Sequence, residues 1–369
     1  MRAGVYISIP FCAQKCTYCN FASGVFPEAL LREYLAALEA EIAAESWNVA
    51  PDTLYLGGGT PSLLDPQALG RILRRLPAAE WAEATLEAAP GTVTSERTAA
   101  WRLLGIDRVS LGVQSFVPRE IAATGRKHSP QQVAEEVARL RQHGISEINI
   151  DLIAGLPHQT AASWRESLDW IERLQPPHVS VYMLEADEDS RLGREILRGG
   201  ARYGAGAVPD DAQIADFYLQ AVERLERLGI RRYEISNFAR PGCESAHNLK
   251  YWRLEPYRGF GADAHSFDGH RRWSNVETPA EYVERFRAGA SPVAASEPVD
   301  PRRAMEEHFF VGLRQTAGIE PCEEEWRRFA EPIRRLGQDG LLRAEGSRLR
   351  LTDRGVLFSN EVFQEFIET

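Results

Sequence analysis

No stretch of this chain approaches the ~18 consecutive apolar residues of a membrane-spanning helix, so no such helix is expected. Basic charge is short too: the formal net charge is −10, which argues against a general nucleic-acid binder. Cysteine is scarce, with 5 residues in 369, and three of those are clustered. That usage excludes a disulfide framework and suits a reducing compartment; the cytoplasm is the expected location. The cysteine cluster begins at position 12, which leaves no room for a signal peptide ahead of it. There is no low-complexity tract. The remainder is ordinary for a globular protein, with 44% hydrophobic and 26% charged residues, and the length suits one large domain plus an appendage.

The clustered cysteines are Cys12, Cys16 and Cys19, spaced C-x3-C-x2-C. Val5 to Ile9 reads as a short buried strand that Pro10 ends, so the thiols lie on a loop past a strand's carboxyl end. Thiolates in a tight loop are usual ligands of an iron–sulfur cluster. A zinc site normally needs a fourth protein ligand, and Asn20 and Phe21 supply no adjacent cysteine.

Strand-like and helix-like segments then alternate. Strands are predicted at Thr53–Leu56, Thr85–Glu87, Arg108–Leu111, Ile148–Ile153 and Val179–Tyr182. Asp65-Pro66 and Ser129-Pro130 open helices, cap first and proline next; Gly105 and Gly144 close helices. Six β/α units make a partial parallel barrel, open on one side. Residues 198 to 208 hold four glycines and read as a flexible loop. After Pro298 come two amphipathic helices (Met305 to Leu313, and Trp326 to Leu336), a hairpin turning at Glu345-Gly346, and a last helix from Asp353 to Phe366. This is a small winged-helix-like domain. From Pro301 onward there are 11 Arg, no Lys, and 13 Asp plus Glu, so it is expected to face protein or cover the barrel and not to bind DNA.

Polar residues mark the strand ends. Gly57-Gly58-Gly59-Thr60-Pro61 follows the second strand, and consecutive glycines let a backbone approach a ligand closely. Glu87 and Gln114 stand at the ends of two strands, Asp151 interrupts the apolar run of the next, and Arg126 lies in Thr-Gly-Arg-Lys-His. A charge within an apolar strand is costly unless paired or functional. Several on one barrel rim make a polar ligand site.

The cysteine spacing after a first strand resembles the radical S-adenosylmethionine (SAM) superfamily. That resemblance implies a [4Fe-4S] cluster on the three cysteines, with SAM on its open iron. Across nearly the whole chain, Leu-Glu-Ala-Ala-Pro-Gly-Thr, Leu-Gly-Val-Gln-Ser-Phe, Asn-Ile-Asp-Leu-Ile-Ala-Gly-Leu-Pro and Tyr233-Glu-Ile-Ser-Asn-Phe-Ala239 resemble the oxygen-independent coproporphyrinogen III oxidase group. By that resemblance Tyr6, Tyr18, Gly58, Gly59, Thr60, Glu87, Gln114, Arg126 and Asp151 surround SAM. The coproporphyrinogen dehydrogenases of the group carry Cys-x-Cys at the end of the cluster loop and an N-terminal extension; Cys19-Asn20-Phe21 departs from the first and the second is missing. His247-Asn248-Leu-Lys-Tyr251-Trp252 instead resembles the His-Asn-x-x-Tyr-Trp signature of the HemW-type haem chaperones. The resemblance implies haem as cargo, delivery to haem-accepting proteins, respiratory ones included, and His247, Asn248, Tyr251 and Trp252 as haem-binding candidates in a segment covering the barrel mouth. A peripheral contact with a membrane stays open, as does whether SAM is cleaved. The rival readings are a coproporphyrinogen III dehydrogenase and a radical SAM enzyme on another substrate. Ser8 stands where the group more often has His, which removes a proton-transfer role at that position. Cys243 and Cys322, far from the triad, read as structural or incidental, and His265 as a local hydrogen-bonding residue. The expected organisation is an α/β chain: a partial (β/α)6 TIM-like radical SAM barrel over 1–228, a barrel-closing region over 229–295, and the winged-helix-like domain over 296–369.

Overall fold

The computed structural model describes residues 2–47, 50–77 and 80–367. Six parallel strands are its centre: β1 (Gly4–Ile9), β2 (Thr53–Gly58), β3 (Glu83–Ala88), β4 (Arg108–Gln114), β5 (Glu147–Ala154) and β6 (His178–Met183) lie side by side in chain order. Each joins the next through helices: α1 (Glu28–Ala44), α2 (Pro66–Leu73), α3 (Ser95–Leu103), α4 (Pro118–Ala123) with α5 (Pro130–Gln142), and α6 (Ala161–Leu174). The caps are those expected. The Asp65 carboxylate accepts from Gln67 N at 3.0 Å and Ala68 N at 3.1 Å, and the Ser129 hydroxyl accepts from Gln132 N at 3.2 Å. Gly105 and Gly144 take the left-handed conformation just past α3 and α5, at φ 88° and 80°.

Alternation along the strands separates two chemistries. Val5, Ile7, Ile148, Ile150, Leu152, Val179 and Val181 are buried in the core shared with the helices. The alternate positions face the barrel interior and are largely polar: Tyr6 and Ser8 on β1, Thr53 and Tyr55 on β2, Glu83 and Glu87 on β3, Ser110 on β4, Asn149 and Asp151 on β5, His178, Ser180 and Tyr182 on β6.

The sheet does not close. On the β1 side it continues through parallel β9 (Tyr257–Phe260) and antiparallel β10 (His265–Phe267), β11 (Arg271–Asn275) and β12 (Val293–Pro298). Beyond β6 lie antiparallel β8 (Asn237–Ala239) and β7 (Arg231–Arg232). After β6 come α7 (Arg191–Leu197), α8 (Asp211–Arg227), α9 (Ala246–Trp252) and α10 (Pro279–Arg287). Residues 198 to 208 are more ordered than a loop: a 3-10 stretch, Arg202–Ala207, turns through positive φ at Tyr203 and Gly204.

The C-terminal part has α11 (Pro301–Gly312), α12 (Glu323–Arg328), α13 (Ala330–Gln338), a β13–β14 hairpin (Leu342–Glu345, Arg348–Leu351), α14 (Asp353–Leu357) and α15 (Ser359–Gln364). Two helices expected to be continuous are each broken, at Phe329 and at Phe358. Phe329 breaks its helix because it turns into a small aromatic core, with its ring centroid 4.5 Å from Phe309 and 5.4 Å from Phe366.

Candidate cofactor-binding cavity

The loop after β1 is held from several sides. Cys12 N donates to Gly24 O at 2.8 Å, Thr17 N to Thr124 O at 3.1 Å, and Leu192 N to Thr17 O at 2.8 Å. Lys15 Nζ reaches Ser23 O at 2.8 Å. The glycine-rich loop after β2 clasps the same segment: Gly59 N donates to Ile9 O at 2.9 Å and Thr60 N to Phe11 O at 3.0 Å. A Cβ at Gly59 would stand 2.8 Å from Ile9 O, Phe11 N and Phe11 O, so only glycine allows this approach. Gly58 adds a positive φ of 102°.

Cys12, Cys16 and Cys19 face one cavity of about 1380 Å³ at the carboxyl ends of the strands. All three are free thiols. Burial pushes the Cys12 thiol up, while the Thr60 and Ser23 hydroxyls beside it pull the other way. Among the described residues, no three His, Cys, Asp or Glu side chains converge tightly enough to hold one metal ion. Three separated thiols in one loop suit a cluster whose irons take one thiolate each.

Tyr18, Gly58, Gly59, Thr60, Glu87, Gln114, Arg126 and Asp151 line the same cavity. Tyr6 does not; it stands behind the glycine loop with its ring 6.1 Å from that of Tyr55. Eight of the nine residues expected around SAM are thus brought together with the three thiols. Glu87 accepts from Tyr55 OH at 3.0 Å, and burial, reinforced by the neighbouring Asp151, pushes its carboxyl up to about 7. Burial also raises Asp151, against the hydrogen bonds it accepts from Asn149 Nδ2 at 2.7 Å and Ser110 Oγ at 3.1 Å. Gln114 sits at φ 70°, where the β4–β5 register shifts after Gly112, a strained conformation that turns the strand end toward the cavity. Arg126 donates to Gly112 O and lies against Tyr18 and Cys16. Ser8 is buried at 4% exposure, and its Oγ is only 3.2 Å from where a Gly58 Cβ would stand. These amides, carboxylates and one guanidinium fit a ligand carrying hydroxyls, an amine and a carboxylate.

The far side of the cavity was not legible from sequence. Tyr182, Met183, Ile214 and Ile235 line it together with Arg314, Leu357 and Phe358 from the C-terminal part. Strand alternation alone could have pointed Tyr182 inward; the other residues are assembled by tertiary packing.

The His247 segment lies at the opposite end of the barrel from the expected mouth. Gly4, Thr53 and Glu83 begin β1, β2 and β3, and α9 packs under them. Glu83 accepts from Ser245 Oγ at 2.8 Å, Ala246 N at 2.7 Å and His247 N at 3.2 Å. His247 is 0% exposed. Its Nδ1 is 2.9 Å from Thr53 Oγ1 and its Nε2 is 2.8 Å from Tyr251 OH. Burial, with Lys250 close by, lowers its pKa to about 3, so the ring is neutral with both nitrogens engaged. None of His247, Asn248, Tyr251 and Trp252 lines the cavity. The segment is displaced because residues 231–252, after running antiparallel beside β6, pass beneath the barrel and not over it.

The radical SAM superfamily matches residues 6–171, and the HemN C-terminal domain matches residues 299–358. The heme chaperone HemW of Bacillus subtilis is 33% identical, over 98% of this chain and 98% of its own. That of Mycobacterium tuberculosis H37Rv is 35% identical over 99% and 94%. Among solved structures, the Escherichia coli coproporphyrinogen III oxidase HemN, described as a radical SAM enzyme, superposes with a TM-score of 0.85 at 22% identity, over 99% of this chain and 90% of that one. No helix among the described residues is long and apolar enough to cross a membrane.

Proposed function

This chain belongs to the HemW-type haem chaperone family of the radical SAM superfamily, and from that premise we propose that it binds a [4Fe-4S] cluster and SAM in the rim cavity and carries haem to acceptor proteins. The observation that carries the reading is the convergence of three loop thiols and eight polar rim residues on one cavity. Cys12, Cys16 and Cys19 would hold the cluster. When bound and reduced, such a cluster supplies an electron to the sulfonium of SAM. The chain's own part is to bind and orient. The exposed edge of the Gly58-Gly59-Thr60 loop offers backbone groups to the amine of SAM, Glu87 and Asp151 accept from hydroxyls, and Gln114 and Arg126 hold the remaining polar groups. Tyr6 supports the glycine loop from behind.

The dehydrogenase alternative is disfavoured by the end of the cluster loop. Where that branch carries a further cysteine this chain has Phe21, which is 67% exposed, and Asn20 is engaged with Asp187 at 2.5 Å. The test is anaerobic. Reconstituted protein should hold four irons, bind SAM, and give a saturable Soret change on haem titration, while leaving coproporphyrinogen III unconverted. Absence of saturable haem binding at micromolar haem defeats the chaperone reading; accumulation of protoporphyrinogen IX at enzymatic rates makes the dehydrogenase correct.

A further inference from the structure

Resting on the reading of haem as cargo, we propose that the cargo lies against apolar side chains of the cavity and that Arg314 anchors one of its carboxylates. Two groups of residues line the cavity. One carries the thiols, the glycine loop and the strand-end carboxylates. The other mixes apolar side chains, Met183, Ile214, Ile235, Leu357 and Phe358, with the acids Glu185, Asp187, Asp211 and Glu361 and the 42% exposed Tyr182. Apolar side chains with one cation among acids suit a flat, mostly apolar molecule whose anionic edge is directed to that cation.

Arg314 is the cation of this second group, and among the described residues its Nε has no hydrogen-bond partner. Its nearest acid atom, Glu234 Oε2, is 3.9 Å away, beyond hydrogen-bond range. Arg314 Nε and Glu234 Oε2 are both buried without a hydrogen-bond partner. Glu234 spends its other oxygen on Asn237 Nδ2 at 2.5 Å and Ser236 N at 3.1 Å. The Arg314 guanidinium lies over the Trp252 ring, 4.5 Å from its centroid, and Gln315 Nε2 donates to Trp252 O at 3.2 Å. Stacking fixes the plane of a guanidinium while leaving its edge free for a carboxylate fork. The carboxyl end of the His-Asn-x-x-Tyr-Trp segment therefore meets the cargo site through Arg314, whereas His247 stays sealed beneath the barrel.

The experiment compares iron protoporphyrin IX with its dimethyl ester, titrated into the full-length, cluster-loaded protein without oxygen. Wild type should bind the diacid more tightly than the ester. Arg314→Met should weaken diacid binding roughly tenfold to a hundredfold and erase the preference over the ester. Arg314→Lys should retain part of the preference, and Glu234→Gln, which removes a competing carboxylate, should tighten the diacid. Iron content and melting temperature identify variants that fail to fold. An Arg314→Met protein that keeps wild-type affinity and preference overturns the anchor and leaves the cargo reading standing. Wild type that binds cluster and SAM but neither porphyrin overturns the cargo reading itself, and the anchor with it.

Discussion

Strand β3 carries a glutamate near each end, and the two live in opposite circumstances. Glu83 is 6% exposed and accepts from Ser245 Oγ, Ala246 N and His247 N, the first turn of α9. Among the described residues Glu87 has the Tyr55 hydroxyl and the Gly58 backbone as hydrogen-bond partners, and it faces the rim cavity. At the amino end the barrel's acid is consumed by the protein; at the carboxyl end it is offered to something else. The same division separates the two segments that sequence marks most strongly. The cysteine loop stands open to the cavity, and the His247 segment is a plug.

The sharpest way to break this contrast is at the thiols. Cys12→Ser, Cys16→Ser or Cys19→Ser should abolish the cluster in anaerobically reconstituted protein, read as iron content and charge-transfer absorbance. Cys243→Ser should leave it intact, since that thiol lies beside Glu147 at the far end of the barrel, with its sulfur 3.8 Å from the carboxylate. Retention of four irons in the triple mutant would disprove the assignment.

Next in size is Glu83→Ala. It leaves three donors of the α9 turn without their acceptor, and Arg108, 4% exposed and 4.0 Å away, without one of its two acids. A loss of about 3–5 kcal/mol in unfolding free energy is expected, the scale of breaking a buried charged network. Protein that still folds should load its cluster normally. If Glu83→Ala melts like wild type, the amino end is not the structural plug described.

Much of this was legible. Strand alternation and caps placed six β/α units, because buried parallel strands and capped helices declare themselves locally. The cysteine spacing and strand-end polar residues identified the rim, since a parallel barrel puts those ends together. The end of the barrel reached by residues 231–252 was not legible: chain order says that the segment follows β6, not which way it then turns. Arg314, Leu357 and Phe358 were hidden for a related reason. They enter the cavity from a separate part of the chain, and no local pattern in sequence reports that contact.

Glu87→Gln tests the other half of the comparison, with a smaller effect. In wild type, burial and Asp151 hold the Glu87 carboxyl at about 7, against its ordinary 4.5. The folded state therefore keeps a proton that the unfolded chain releases. Stability from this group is fully present below about 4.5 and is lost as pH rises through 7. The substitution should flatten that slope between pH 4.5 and 7 in protein without SAM. SAM binding should strengthen from pH 6 to pH 8 in wild type, as the acceptor becomes a carboxylate, and weaken by roughly 1–3 kcal/mol in Glu87→Gln at pH 8. Identical pH profiles in both proteins would show that Glu87 is as fully consumed as Glu83.

The smallest expected effect falls on the residue that looks most like a haem ligand. His247 is neutral, fully buried, and bonded through both ring nitrogens to Thr53 and Tyr251. To reach iron, Nε2 would have to give up Tyr251, and α9 would have to leave the Glu83 carboxylate. Each broken buried hydrogen bond costs about 1–3 kcal/mol, and the ring is 0% exposed where it stands. His247→Gln, which can keep a donor and an acceptor in place, should therefore lower the melting temperature modestly and leave the haem spectrum of wild type unchanged. The same titration on Trp252→Ala should weaken haem, because it removes the surface on which Arg314 lies. A Soret band that shifts in His247→Gln but not in Trp252→Ala would reverse the comparison: the plug would open in solution, and the amino end of the barrel would be the haem site.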